Sequence, residues 1–252
     1  MTVMRKLIPI VVVAATGAAV VRTVVMPWWH TWGRRPEDDG PLPGDDLVSE
    51  PTAVETRGID IAALPDRVWP WLVQMGYARA GWYSYDALDM NQPSADQIRT
   101  GLAEIAVGDV MPTHPAGGFL VRILEEPRAL VLYLDTDLVR EQAEAAEANA
   151  EAAGPINIQA TGVLMEAAQP ADFAASWAFV LEPAGDGETR LIERFRVRFG
   201  EDDRPWLRFT MPLMGFGVFM MMRKQMLGIR DRAERGAPRI ALPAEGLAGA
   251  GA

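Results

Sequence analysis

The sequence predicts an α+β fold: an antiparallel β-sheet curved around a long carboxy-terminal α-helix, preceded by one amino-terminal transmembrane helix. Three observations predict it. Residues 171–199 form two long alternating runs around the turn PAGDGE. Residues 205–236 carry apolar side chains at helical spacing. Residues 7–26 are almost wholly apolar. Strands in series followed by one long helix call for a two-layer packing of helix on sheet.

The chain of 252 residues suffices for one good-sized domain with appendages. Its net charge of -10 repels phosphate backbones, so no nucleic-acid partner is expected. The absence of Cys removes disulfides, thiolate metal sites and a cysteine nucleophile. The two histidines, His30 and His114, are too few and too far apart in sequence for a multi-histidine metal centre. No nucleophile-elbow, phosphate-loop or dinucleotide-binding motif is present. No cofactor or metal is therefore expected.

In chain order, Leu7–Met26 is interrupted only by Thr16, Arg22 and Thr23, and as a helix it would span about 30 Å. Trp28, Trp29 and Trp32 follow, as an interfacial aromatic belt would. Residues 1–33 are read as an uncleaved single-pass membrane anchor, with a cleaved signal peptide as the alternative. The flanking pairs Arg5–Lys6 and Arg34–Arg35 balance, so they set no orientation. Residues 34–46, rich in Pro, Gly and Asp, predict a solvated linker, with the folded domain beginning near Leu47.

Residues 52–64 predict a strand with Val54, Thr56, Gly58 and Asp60 on one face and Glu55, Arg57, Ile59 and Ile61 on the other. Pro65 starts a helix that Gly76 ends. Short helical pieces are expected around 83–89 and 94–102, and strands around 108–112, 117–127 and 128–135. The Ala/Glu-rich stretch 138–154 predicts a solvated helical insertion. In the hairpin, Phe173, Ala175, Trp177, Phe179 and Leu181 share a face. So do Leu191, Glu193, Phe195, Val197 and Phe199, and the opposite face, with Arg190, Arg194, Arg196 and Arg198, is expected to be wet. In the last helix Phe219, Met222, Met226, Ile229 and Ala233 repeat on one stripe, and 237–252 is expected to be a disordered tail.

These phrases resemble the SRPBCC superfamily, the helix-grip fold of START-like lipid-transfer domains and polyketide cyclase/dehydrase proteins. IDIAALPDRVWPWL is similar to the family's first strand and helix start, SWAFVLEPAGDGETRLIERFRVRF to its paired strands, and RKQMLGIRDRAE to its final helix. WPWLVQMG followed by GWYSYD looks closest to actinobacterial members with a membrane segment. The resemblance covers residues 47–236 and implies a ligand cavity between sheet and last helix.

On that reading Trp177, Phe179, Leu181, Leu191, Phe195 and Val197 line the sheet side. Phe216, Phe219, Met220 and Met222 line the helix side, and Trp82, Tyr83 and Tyr85 form the rim. The alternative is that these side chains simply fill a core, and that 79–89 is a packed corner. Glu193 stands at an inward parity, where a carboxylate needs a partner or takes a raised pKa. It is the candidate acid or base, or the group that orients a polar ligand head. A bulge or an Arg or Tyr partner are the plainer outcomes. The expected function is a membrane-anchored binding or carrier domain for a hydrophobic small molecule or lipid. The alternatives are a cyclase or dehydratase, in which Glu193 or the tyrosines would act, and a non-catalytic interaction module.

Overall fold

The computed structural model describes residues 19, 21–89, 93–99, 101–102, 104–153, 172–200 and 207–235. It is α+β. Six antiparallel strands form one sheet: β1 (Ala53–Ile61), β2 (Val110–His114), β3 (Gly117–Glu125), β4 (Ala129–Asp135), β5 (Phe173–Gly185) and β6 (Glu188–Phe199). Their order is β1-β6-β5-β4-β3-β2, so β1 and β2 are the edges. Among the described residues the α-helices that accompany them are α1 (Met26–Thr31), α2 (Pro65–Val73), α3 (Thr136–Ala153) and α4 (Leu207–Glu234).

The β5–β6 hairpin is the centre of the sheet, and its register pairs Trp177 with Phe195, Phe179 with Glu193 and Leu181 with Leu191. The side-chain alternation of strands then sends all six to one face. Ile59 and Ile61 of β1 join that face, and α2 and α4 cover it. The stripe read from the sequence is the buried side of α4: Phe219, Met222, Met226, Ile229 and Ala233 are all buried. Gly228 allows α4 to approach the 76–84 corner, because a Cβ there would collide with the Tyr83 carbonyl.

The outer face differs from expectation. Residues 34–48 are not a solvated linker but a strap folded across it, with short helical turns at Pro36–Asp39 and Asp45–Val48. Gly33 begins the crossing at the β1 edge: its carbonyl accepts from Gly58 N at 2.7 Å. A Cβ at Gly33 would stand 2.8 Å from the Gly58 carbonyl, and its φ of +70° suits glycine. Of the arginines expected to be wet, Arg190 and Arg194 are buried under the strap and Arg196 is partly covered, whereas the Arg198 side chain is half-exposed. Arg190 meets Asp38 at 2.5 Å. Arg194 meets Asp45 at 2.6 Å and the carbonyls of Asp38 and Gly40. The sequence reading treated acids and arginines as separate solvated groups, whereas their mutual neutralisation lets both be buried.

Further differences concern smaller elements. Residues 83–89 and 94–99 contain turns and bends rather than helix, because Tyr83 takes φ +57° and Asp86 spends its carboxylate on Ser94 N and Oγ. The Ala/Glu helix is present as α3, capped by Asp135 and clipped to β3 by two hydrogen bonds between Gln142 and Gly118. Among the described residues no helix is long and apolar enough to cross a membrane. The anchor expected over 7–26 lies for the most part outside the described residues, as does the 237–252 tail.

Candidate functional site

The inner face holds one fully buried carboxyl group. Glu193 sits in β6 opposite Arg57 of β1 and Phe179 of β5. Its Oε1 accepts a 2.7 Å hydrogen bond from Trp177 Nε1, while its Oε2 is buried with no partner. Burial pushes its pKa up to about 8, against the opposing pull of the Trp177 hydrogen bond and the Arg57 charge. At neutral pH the group is therefore mostly the protonated acid, which both accepts and donates.

Trp177 is aimed by its neighbours. Its ring stacks on Trp82 with centroids 5.3 Å apart, meets Phe119 and Phe195 edge-on, and tilts against Phe179 at 5.1 Å. Such aromatic pairs fix ring orientation, so the indole N–H is held toward Glu193 rather than free to turn. The diagonal offset of Trp177 from Glu193 across the hairpin is within reach of a long aromatic side chain.

Arg57 is the second buried ionisable group here. Its Nη2 donates to Trp29 O at 2.9 Å and to Glu55 Oε2 at 2.5 Å, and its Nη1 donates to Thr56 O at 2.7 Å. Its Nε has no partner. The guanidinium lies 5.5 Å above the Phe219 ring. Burial lowers its pKa, and Glu55 and Glu193 oppose that. An arginine nonetheless keeps its charge. The indole N–H of Trp29, whose ring packs against Phe216 and Phe219, is likewise buried and unpartnered. Leaving such a group unpaired costs about 1–3 kcal/mol. Glu193 Oε2, Arg57 Nε and Trp29 Nε1 are therefore three buried polar atoms whose hydrogen-bonding capacity a ligand oxygen or water would use.

The expected site residues divide. Trp177 and Phe179 adjoin the Glu193 carboxyl group, and Trp82 and Phe195 pack on Trp177. Phe216 and Phe219 belong to the Arg57–Trp29 end, with Met220 half-buried beside them on α4. Tyr83 is elsewhere: buried, edge-on to Trp71, and accepting at its hydroxyl a 2.7 Å hydrogen bond from Gln74. The Arg232 guanidinium covers its ring at 4.7 Å, and burial pushes its pKa up to about 12. Ser84 bonds the Met221 carbonyl. Tyr85 is exposed to solvent. The stretch 79–89 is thus a corner packed on α4, and of its aromatics only Trp82 reaches the site.

The sequence puts Arg57 on the strand face of Glu55, Ile59 and Ile61 without a role, and Trp29 in a membrane belt. Alternation of Arg57 with Ile59 and Ile61 was the available signal for the first. Nothing local marks Trp29, whose burial depends on contacts with α4. Among the described residues no group of side chains is arranged to hold a metal ion. Two surface concavities formed by described residues lie away from Glu193. One of about 300 Å3 is lined by residues 95–99, and one of about 420 Å3 by Arg35, Asp38, Glu182 and Arg190 among others. No protein-family model matches the chain, and no curated protein matches it.

Proposed function

We propose that this protein binds a hydrophobic small molecule or lipid against the inner face of the sheet, with an oxygen-bearing end directed at Glu193 and Arg57. The observation that carries the reading is the buried Glu193 carboxyl group, held by Trp177 through one oxygen and unpartnered at the other. A protonated carboxyl and an arginine N–H are both donors, so the complementary head is an acceptor: a carbonyl or carboxylate rather than an amine. Aromatic rings on either side supply the apolar contact. The resemblance to the helix-grip SRPBCC proteins supports the same reading, as does an amino-terminal anchor over 7–26 that would keep the domain at a source of lipid.

One observation favours a second reading, a cyclase- or dehydratase-type enzyme. A carboxyl with a pKa of about 8 exchanges protons readily near neutral pH. Binding comes first, because among the described residues no nucleophile or second acid is hydrogen-bonded to Glu193.

The test is a titration of the full chain in mild detergent, followed by tryptophan fluorescence, with a long-chain fatty acid, the matching methyl ketone, the amine and the alkane. The acid and ketone are expected to saturate at one per chain, the amine and alkane to bind weakly, and Glu193→Leu to remove the preference. Absence of saturable binding by any of the four would overturn the proposal.

A further inference from the structure

A second cationic centre lies on α4 away from Glu193. The Arg223 guanidinium sits between two indoles, 5.5 Å from the Trp28 ring centroid and 5.1 Å from that of Trp32. Its Nε is buried without a partner. Arg190, Arg194, Arg232 and Arg235 each meet a carboxylate, whereas among the described residues none pairs with Arg223. Lys224, the next residue, is exposed. In a chain with a net charge of -10, this spot holds a positive charge that no carboxylate among the described residues neutralises.

The surroundings are apolar and open. Trp28 packs edge-on against Phe219 at 5.0 Å yet remains 37% exposed. Val21, Val24 and Met26, on the same arm, are 50%, 59% and 36% exposed. Exposed aliphatics, a partly exposed indole and an unpaired cation in one place match the layered chemistry of a membrane interface: acyl chain, glycerol region, phosphate. The apolar run that begins at Leu7 leads directly into this arm, so the chain itself points to what lies opposite.

We propose that Trp28, Trp32 and Arg223 form a headgroup site for the phosphate of an anionic membrane lipid, and that it seats the folded domain against the bilayer. The indoles hold the guanidinium in place, and its charge and the Lys224 ammonium draw the phosphate to this end of α4. The site does not depend on the ligand proposed for Glu193, and it concerns the domain's contact with the surface rather than the anchor alone. A basic side chain near an anionic surface strengthens attachment by about fivefold.

The absence of cysteine makes a clean test available. Gly217→Cys places a fluorescent label on the exposed side of α4, seven residues before Lys224, where a new side chain meets nothing within 4 Å. The labelled full chain is reconstituted into nanodiscs of phosphatidylcholine alone or with phosphatidylglycerol, each doped with a headgroup-nitroxide lipid. Quenching is expected to rise at least twofold with phosphatidylglycerol and to fall back at high salt. Arg223→Gln is expected to lose the rise, Arg223→Lys to keep most of it, and Arg230→Gln to leave it unchanged. Equal melting temperatures for Arg223→Gln and the parent confirm that folding is intact. Equal quenching in both lipids, an undiminished rise in Arg223→Gln, or no association with the discs overturns the proposal. So does abolition of the rise by millimolar inorganic phosphate at constant ionic strength, which would mark a free-phosphate site instead.

Discussion

The two faces of the sheet both bury charge, and they do so in opposite ways. On the outer face Arg190 and Arg194 are matched by Asp38, Asp45, Thr56 and a row of strap carbonyls. On the inner face Glu193 and Arg57 stand opposite each other, yet each keeps an unpartnered polar atom. That network fixes a strap to a sheet, and where it lacks a hydrogen bond, at Asp45 Oδ1, Arg196 Nη1 still stands 3.5 Å away. An unsatisfied one carries a standing cost that a bound ligand relieves. The difference teaches that buried charge alone does not mark a site; buried polar atoms with neither a hydrogen bond nor an opposite charge beside them are the better sign.

The largest effect is expected on the outer face. Asp38→Ala leaves the Arg190 guanidinium buried without its main carboxylate, and unfolding by denaturant should show a loss of about 3 kcal/mol. Trp177→Phe should cost about 2 kcal/mol, because it unpairs Glu193 Oε1. Ligand affinity should fall in this variant too, whereas in Asp38→Ala it should hold wherever the protein remains folded.

Glu193→Gln tests the inner face through pH. The folded carboxyl binds its proton up to about 8, whereas an unperturbed glutamate releases it near 4.5. Folding therefore takes up a proton between those values, and the stability this contributes is full below pH 4.5 and lost as pH rises through 8. Stability measured from pH 5 to 9 should decline in the parent and be flatter in Glu193→Gln, whose amide oxygen can still accept from Trp177. A parallel decline in both would assign the effect to another group. The smallest effect is expected at Arg140, whose pair with Asp137 lies in solvent. Arg140→Ala should change stability by no more than about 0.5 kcal/mol.

What was legible in the sequence was whatever depends on local periodicity. The hairpin, the parity that turns Glu193 inward, and the buried stripe of α4 all follow from spacing of two or of about 3.6 residues. The strap was not legible. PEDDGPLPGDD has the composition of a solvated linker, and only the register of Arg190, Arg194 and Arg196 on a distant strand makes it a fitted part. Trp29 was misassigned for the same reason: three tryptophans after an apolar run look interfacial, and the partner that buries Trp29 is some 190 positions away, at Phe219. The Tyr83 corner lay between these cases. Its aromatics were noticed, but its left-handed backbone and its Gln74 partner were set by packing on α4.

The most direct measurement of the central claim is native mass spectrometry of the full chain released from detergent, with organic extraction of what it carries, run beside Glu193→Leu. The account predicts one apolar molecule with a carbonyl or carboxylate end per chain in the parent and its loss from the variant. An apolar molecule retained equally by both, or a parent that is empty and stays empty when offered a long-chain acid or ketone, would contradict it.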